Sequence, residues 1–224
     1  FTFFQERVGI DRLKEKTIQN LIVPSPFDYT RQARLLVVND LPVPGPQPEK
    51  KYLEDIAGAI ETIALEVGGR TLVLFTSYQA MNHCRQLLLP RLEERGLVLL
   101  VQGMDGSRAQ LIQAFKNSQR SVLFGTGSLW EGIDIPGSAL SCVVMVKLPF
   151  ANPNQPVFAA RKEEMERESK DWFRHYSLPA AVITFKQGFG RLIRTVSDYG
   201  VVVVLDSRLV NRRYGRVFLN SLPL

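Results

Sequence analysis

The sequence has little cysteine and no hydrophobic segment long enough to cross a membrane. Its two cysteines, Cys84 and Cys142, lie far apart in apolar stretches and form no C-x-x-C pair, so the spacing of a cysteine metal or redox site is absent. We expect both thiols to be buried. No run approaches the roughly 18 apolar residues of a membrane helix. The first residues, "FTFFQERVGI", lack the features of a signal peptide, and we expect them to lie within a longer chain.

Two common phosphate-binding motifs are also missing. The sequence contains no G-x-x-x-x-G-K-[ST], so this chain cannot form its own P-loop. The segment "GTGSLWEG" begins like the dinucleotide fingerprint G-x-G-x-x-G, but Trp130 occupies the position of the third glycine. Because an indole prevents the close packing of helix and strand that this glycine allows, a NAD-binding Rossmann-type domain is the weakest alternative.

The chain is basic, and its apolar residues alternate between two patterns. The net charge of +6 favours a polyanionic partner such as nucleic acid or a nucleotide phosphate, although many soluble domains are mildly basic. A short β-rich run predicts a strand at 34–40, and unbroken apolar runs predict buried strands at 71–76, 97–102, 121–126, 140–148 and 201–207. Amphipathic patterns predict helices at 49–67, 78–95, 108–116, 155–169 and 178–196. This alternation predicts an α/β fold, with a mostly parallel β-sheet flanked by helices on both faces.

Small and hydroxyl-bearing residues follow most of the predicted strands. Ligands bind at the carboxyl ends of strands in open α/β sheets, and the backbone amides and hydroxyls there suit phosphate oxygens. Any turn is rich in such residues, but their recurrence at one expected edge favours a phosphate site. The segments are 75–80, 102–108, 125–137, 147–154 and 206–208.

The segment "KQGFGRLIRT" (186–195) places two glycines inside a predicted helix. Glycine costs roughly 1 kcal/mol relative to alanine in a helix, so the pair indicates close approach of another backbone or a ligand. If the helix continues to residue 196, Gln187, Arg191 and Arg194 lie on one face. Arginine can bind two oxygens at once, which suits a triphosphate. A surface arginine pair neutralised by nearby acids is the alternative.

Three segments resemble motifs of superfamily 2 helicases. "LVLFTSY" (72–78) is similar to motif IV, "GTGSLWEGIDIPG" (125–137) to motif V and "QGFGRLIR" (187–194) to motif VI. With "SPFDYTRQARLLV" (25–37) and "YSLPAAVITFKQGFGRLIR" (176–194), they resemble the DinG branch of the XPD-like DNA helicases.

In that family, ATP binds between two RecA-like lobes, and this chain resembles only the second. The first lobe carries the P-loop, the Mg²⁺ ligands and often an iron–sulfur cluster, which therefore could belong only to the missing part. The resemblance implies a RecA-like fold, with residues 1–20 as the tail of the first lobe and 21–224 as the second lobe. No metal ligand set is expected in this chain.

The resemblance also implies roles for individual residues. Arg191 and Arg194 would be arginine fingers at the γ-phosphate of ATP, and Gln187 would sense the nucleotide. The other residues implied at the nucleotide are Glu131, Gly132, Asp134, Gly188 and Gly190. Those implied at the DNA backbone are Ser77, Thr126, Gly127 and Ser128. Tyr78 is also assigned to the DNA-binding set, although its ring could either stack on a base or fill the core.

The implied function is that of a motor lobe in a bacterial, cytoplasmic, 5′–3′ DNA helicase that uses ATP and Mg²⁺ on single-stranded or forked DNA. Its partners would be single-stranded DNA and the first lobe of the same polypeptide, with no membrane, and the isolated lobe would lack ATPase activity. A non-catalytic module that binds single-stranded nucleic acid or a partner is the alternative.

Four residues outside these sets keep two interpretations each. Trp130 is favoured as a core residue over a base-stacking one, whereas Phe150 could do either. Asp206 and Arg208 could form a simple salt bridge at a strand end or couple motif VI to DNA.

Overall fold

The computed structural model describes residues 2–10, 19–45, 49–130, 135, 139–152 and 154–224. The chain divides into two compact units, Phe1–Pro26 with Phe150–Ala181 and Phe27–Pro149 with Val182–Leu224. These units do not correspond to the predicted boundary between two lobes at residues 20 and 21, which stays a prediction.

The larger unit contains a sheet of six described strands in the order β1-β6-β5-β2-β4-β3. Every neighbouring pair is parallel, so all carboxyl ends lie at one edge, here called the carboxyl edge. Strands β2, β4 and β5 are buried along their whole length, as their unbroken apolar runs predict. The strands are β1 (Ala33–Val37), β2 (Thr71–Leu74), β3 (Val98–Val101), β4 (Ser121–Gly125), β5 (Cys142–Met145) and β6 (Gly200–Val204).

The described helices include the five that the sequence predicts and four shorter ones. Helices of four to seven residues carry too little periodicity to be recognised in the sequence, which is why α1, α2, α8 and α9 were not predicted. A 3₁₀ turn covers Gly127–Leu129 and a π-helical turn covers Phe173–Ser177. The helices are α1 (Thr2–Val8), α2 (Tyr29–Gln32), α3 (Lys50–Val67), α4 (Tyr78–Glu94), α5 (Arg108–Asn117), α6 (Pro156–Arg167), α7 (Leu178–Phe189), α8 (Arg208–Asn211) and α9 (Gly215–Leu219).

Helices cover both faces of the sheet, as predicted. On one face, α3 and α4 pack in a common core with β2 and β4, and Ile56 and Leu88 are completely buried there. On the other face, Gly188 of α7 lies against Met145 of β5. Helix α3 ends at Val67 and is capped by Gly68, whose φ of 74° is the left-handed conformation expected of a helix-terminating glycine.

Helix α7 ends at Phe189, so the predicted helix at 178–196 is too long. The amide of Gly190 still donates to a carbonyl four residues back, at 2.8 Å. The amides of Arg191 and Leu192 instead donate to carbonyls only three residues back, at 3.1 and 3.2 Å. This tightening marks the end of an α-helix, and the chain then leaves the helical path.

Asp198 stabilises the loop that follows. Its Oδ2 accepts hydrogen bonds from the backbone amides of Arg194 and Thr195, both at 2.8 Å, and its Oδ1 accepts from the Thr195 hydroxyl at 2.7 Å. These bonds replace the carbonyl acceptors that a longer helix would supply. Gln187, Arg191 and Arg194 therefore do not share one helical face, and that part of the sequence interpretation is wrong.

The smaller unit has its own aromatic cluster. The ring of Phe158 lies 5.3 Å from that of Tyr176 and 5.7 Å from that of Trp172, between centroids. Phe150 stacks on Phe173 at 5.7 Å, with an interplanar angle of 27°. Of the two interpretations of Phe150, packing is the one that this contact favours.

Both cysteines are completely buried, as predicted. Burial raises the pKa of the Cys84 and Cys142 thiols to about 12, so both stay protonated and unreactive at neutral pH. Among the described residues, no cluster of histidine, cysteine and acidic side chains could hold a metal ion. No helix in this part of the chain is long and apolar enough to cross a membrane.

Candidate functional site

The carboxyl edge contains a point where neighbouring strands continue in opposite directions. The chain leaves β2 toward β3 on one side of the sheet and leaves β5 toward β6 on the other, and β2 and β5 are adjacent. Ligands of open α/β sheets bind in the crevice outside such a pair. Here Trp130 lies at this position, because its indole Nε1 donates to the carbonyl of Phe75, directly after β2, at 2.8 Å.

Trp130 is a core residue, as favoured from the sequence, since only 3% of its surface is exposed. The crevice beside β2 therefore has a side chain where a dinucleotide would need space. This is a stronger physical reason against a Rossmann-type site than the missing third glycine.

Gly188 is the residue that lets α7 approach this indole. A Cβ atom added to Gly188 would lie 3.0 Å from the Trp130 ring and 2.9 Å from the methyl carbon of Met145. The close approach inferred from "KQGFGRLIRT" is therefore made by a tryptophan side chain. Gly190 is different, because an added Cβ would meet only the carbonyl oxygens of its own helix, the nearer at 3.3 Å. A nucleotide contact by either glycine stays a prediction.

Arg191 joins the end of α7 to the loop that follows β4. Its Nε donates to the carbonyl oxygen of Trp130 at 3.1 Å, and the residue is 9% exposed. We call Trp130, Gly188 and Arg191 the tryptophan cluster. It links motif V to motif VI through buried contacts.

Gln187 lies directly before Gly188 of the tryptophan cluster. Its side-chain Oε1 is buried without a hydrogen-bond partner among the described residues. An unsatisfied buried amide oxygen costs about 1–3 kcal/mol, so this atom is suited to a donor from a bound ligand or from a neighbouring segment. Three predicted nucleotide residues lie outside the described residues, namely Glu131, Gly132 and Asp134.

Gln32 holds the loop that carries Arg194. Its Nε2 lies within hydrogen-bond distance of the carbonyl oxygens of Thr195 (3.1 Å), Val196 (3.2 Å) and Asp198 (2.8 Å). No pattern in the sequence indicates this role, because Gln32 is separated from these residues by more than 160 positions and lies on a four-residue helix.

A second cluster at the carboxyl edge is formed by hydroxyl and amide groups. Gln102 directly follows β3, and its Nε2 donates to the Tyr78 hydroxyl at 3.3 Å and to the Ser128 hydroxyl at 3.1 Å. Its Oε1 accepts from the backbone amide of Thr126 at 2.8 Å. We call Tyr78, Gln102, Ser128 and the Thr126 amide the polar cluster. It brings together the segments that follow β2, β3 and β4.

The polar cluster contains three of the predicted DNA-binding residues, but Gln102 was missed. Residues 102–108 are predicted to follow a strand, but no motif in the sequence indicates a role for Gln102. The one feature of the sequence that could indicate its role is the position of its amide side chain, directly after an apolar run that predicts a strand.

Thr126 differs from its expected orientation. Ser128 and Gly127 are exposed, whereas Thr126 is 3% exposed and its hydroxyl has no hydrogen-bond partner among the described residues. Thr126 keeps an extended backbone (φ −124°, ψ −177°), and the chain turns only at Gly127, where φ is +25°. The Thr126 side chain therefore does not face solvent with its neighbours, and a DNA contact by it stays a prediction.

Ser77 also lies at this edge and is exposed. Its hydroxyl accepts from the backbone amide of Ala80 at 3.2 Å and so caps α4. A capping oxygen keeps its own proton for a second hydrogen bond, so the cap leaves the predicted DNA contact available.

Asp206 and Arg208 form a salt bridge at the end of β6. The guanidinium Nη2 lies 2.6 Å and Nε 2.9 Å from the carboxylate of Asp206, which is completely buried. Asp206 Oδ2 also accepts from the backbone amide of Leu148 at 2.9 Å and so ties the end of β5 to that of β6. The salt-bridge interpretation of this pair is the one that the contacts favour.

Residues 60–224 match the family of helicase C-terminal domains. The chain is 37% identical over its whole length to the 3′-5′ exonuclease DinG of Bacillus subtilis, of which it covers 24%. It is 40% identical over 220 residues to the ATP-dependent DNA helicase YoaA of Escherichia coli, and this match covers 98% of the chain and 33% of that protein. The chain thus spans a quarter to a third of the length of these relatives.

Solved helicase structures share the fold. An XPD helicase superposes with a TM-score of 0.67 at 24% identity, covering 84% of this chain and 34% of that one. The helicase Lhr of Mycobacterium smegmatis, bound to single-stranded DNA and AMP-PNP, gives a TM-score of 0.55 at 16% identity over 85% of this chain and 22% of that one. The predicted RecA-like α/β fold is confirmed.

Proposed function

The chain belongs to the helicase C-terminal domain family, in its DinG-type, XPD-like branch, and we propose that it is the second motor lobe of an ATP-dependent DNA helicase. The observation that carries the proposal is the link between motifs V and VI, in which Arg191 Nε donates to the Trp130 carbonyl at 3.1 Å. Because of this link, the loop that follows β4 contributes to both the tryptophan cluster and the polar cluster at the carboxyl edge.

In this proposal the nucleotide side is the end of α7 and the loop after it. Arg191 and Arg194 act as arginine fingers on ATP that is bound with Mg²⁺ by a first lobe of the same polypeptide, and Gln187 senses the nucleotide. An arginine is suited to this role because its guanidinium is always charged and binds two oxygens at once. The buried Oε1 of Gln187, which has no hydrogen-bond partner among the described residues, fits a group that receives its partner when the nucleotide is bound.

The DNA side is the polar cluster with Ser77 and Gly127. Hydroxyls and backbone amides that bind phosphate oxygens give affinity without sequence preference, which is what a translocating motor on single-stranded DNA needs. We propose 5′–3′ movement on single-stranded or forked DNA, as the resemblance to the DinG-type, XPD-like helicases implies. A cytoplasmic location is proposed from the likeness to bacterial DNA helicases such as YoaA.

The two sides would work together through lobe closure. The arginines gain a phosphate partner only when the lobes close on ATP, so binding favours the closed state. Hydrolysis removes this differential contact and lets the lobes separate. Because the loop after β4 joins both clusters, each closure changes the position of the DNA grip relative to the first lobe.

The decisive test is ATP hydrolysis by the complete polypeptide with Arg191→Ala or Arg194→Ala. Removing an arginine finger lowers turnover by roughly 10³-fold or more, and we expect each variant to lose DNA-stimulated ATPase activity by about this factor. A matched control is Arg95→Ala, because Arg95 is exposed and follows α4 at the opposite edge of the sheet. Near-wild-type turnover in both finger variants would refute the assignment.

The isolated 224-residue chain gives a second test. We expect it to hydrolyse no ATP and to bind labelled oligo-dT in fluorescence anisotropy, with an affinity that falls as salt rises. If binding occurs but the complete polypeptide shows no ATPase activity that depends on Arg191 and Arg194, the alternative of a non-catalytic binding module is correct.

A further inference from the structure

The contacts of Gln102 fix which end of its amide faces which neighbour. The group facing Oε1 is the backbone N–H of Thr126, at 2.8 Å, and a backbone amide can only donate. The side-chain atom opposite it must therefore be the oxygen. This leaves Nε2, which carries two hydrogens and accepts none, toward the hydroxyls of Tyr78 and Ser128.

This orientation determines the direction of both hydroxyl protons. Since Nε2 can only donate, the oxygens of Tyr78 and Ser128 are acceptors in these contacts, at 3.3 and 3.1 Å. Each hydroxyl has one proton, and neither proton can point back at Gln102. Tyr78 is 56% exposed and Ser128 is exposed, so both protons are available to a group on the solvent side.

We propose that Gln102 is a positioning residue for DNA, which sets the Tyr78 and Ser128 hydroxyls as donors before the strand arrives. Phosphate oxygens only accept, so a hydroxyl whose proton is already turned outward binds them without reorientation. This inference rests on the proposed function, because it needs the polar cluster to face the DNA backbone. It adds a residue to that surface and explains how the surface is prepared.

The same amide also sets the spacing of the two donors. Tyr78, at the start of α4, and Ser128 follow different strands, β2 and β4, and Gln102 follows β3. Strands β3 and β4 are neighbours, as are β4 and β2, so one side chain bridges three consecutive strand ends. Movement of any one of these segments would break a hydrogen bond of Gln102.

The variant that reverses the proton direction is Gln102→Glu. A carboxylate of almost the same shape still accepts from the Thr126 amide, but it also accepts from both hydroxyls and turns their protons inward. We expect the affinity of the chain for oligo-dT to fall at least tenfold. Part of this loss is repulsion between the new charge and the phosphates, so the variant must also be made in a Tyr78→Phe/Ser128→Ala background.

A double-mutant cycle separates the two contributions. In the background without hydroxyls, Gln102→Glu should lose only the part due to charge, several-fold less than in the wild-type chain. The neutral variant Gln102→Met should weaken binding several-fold in the wild-type chain and less than about twofold in that background. The slope of log Kd against log salt should be the same for wild type and Gln102→Met, because no cation is removed.

Equal losses in both backgrounds would overturn the inference, because Gln102 would then act through the loops and not through the hydroxyls. Unchanged binding by Gln102→Met would also overturn it, and the proposed function would survive if the arginine variants still lost ATPase activity. If the wild-type chain does not bind oligo-dT at low salt, both the inference and the proposed DNA grip fail.

Discussion

The tryptophan cluster and the polar cluster share one loop, yet they are built in opposite ways. The backbone amide of Thr126 and the exposed hydroxyl of Ser128 belong to the polar cluster, where both are hydrogen-bonded to Gln102. Trp130 follows only two residues later, and it is 3% exposed and packed against a glycine. The five residues that follow β4 (126–130) therefore contribute both to a buried contact with motif VI and to a solvent-exposed polar surface.

The difference indicates which substitutions each cluster tolerates. A buried contact between an indole and a glycine depends on volume, because added or removed atoms cannot be accommodated by solvent. In an exposed set of hydroxyls, the effect of a substitution depends on which hydrogen-bond donors and acceptors it removes. Such a set contributes little to the stability of the fold. The two clusters should therefore respond to different measurements.

Trp130→Ala tests the buried side most strongly. Loss of the indole leaves a cavity and an unpaired Phe75 carbonyl, so we expect the free energy of unfolding of the chain to fall by about 3–5 kcal/mol in urea titration. Trp130→Phe keeps most of the volume, and the lost hydrogen bond together with a smaller cavity should cost about 1–3 kcal/mol. A loss below 1 kcal/mol in Trp130→Ala would mean that the cluster does not hold the loop.

Gly188→Ala tests the same contact from the other side. The added methyl would overlap the Trp130 ring and Met145, and we expect a destabilisation of about 1–3 kcal/mol. Gly58→Ala is the matched control, since Gly58 is also helical and an added Cβ there meets nothing within 4 Å. The control should stabilise the chain by up to about 1 kcal/mol. Thermal unfolding of both variants should give shifts of opposite sign, and equal shifts would contradict the packing described for α7.

Tyr78→Phe and Ser128→Ala should have the smallest effect on stability. Both side chains are exposed, so we expect the free energy of unfolding to change by less than about 0.5 kcal/mol for each. Their affinity for oligo-dT should fall while the urea midpoint stays constant. A large loss of stability in either variant would show that the polar cluster is structural, which would remove the contrast with the tryptophan cluster.

The fold was predictable because its signals are local. Unbroken apolar runs identify the buried strands, and Gly68 ends α3 where the sequence indicates. The resemblance to the second lobe of a DinG-type, XPD-like helicase is confirmed by the family match and the relatives. The contact behind Gly188 was also inferred, although its partner could not be named from the sequence.

The missed features depend on contacts between distant parts of the chain. Gln32 reaches the loop after α7 across more than 160 residues, and Gln102 reaches Tyr78 and Ser128 across 24 and 26. The end of α7 was misplaced because the acceptor that replaces its carbonyls, Asp198, belongs to the loop itself. No periodicity in the sequence reports such hydrogen bonds.

The contact between Gly188 and Trp130 also has an evolutionary consequence. With 3.0 Å between the indole and a potential Cβ, a side chain at position 188 requires the indole at position 130 to shift or to be replaced by a smaller group. Either substitution alone destabilises the chain, because one overlaps the ring and the other leaves a cavity. The two positions should therefore change as a pair.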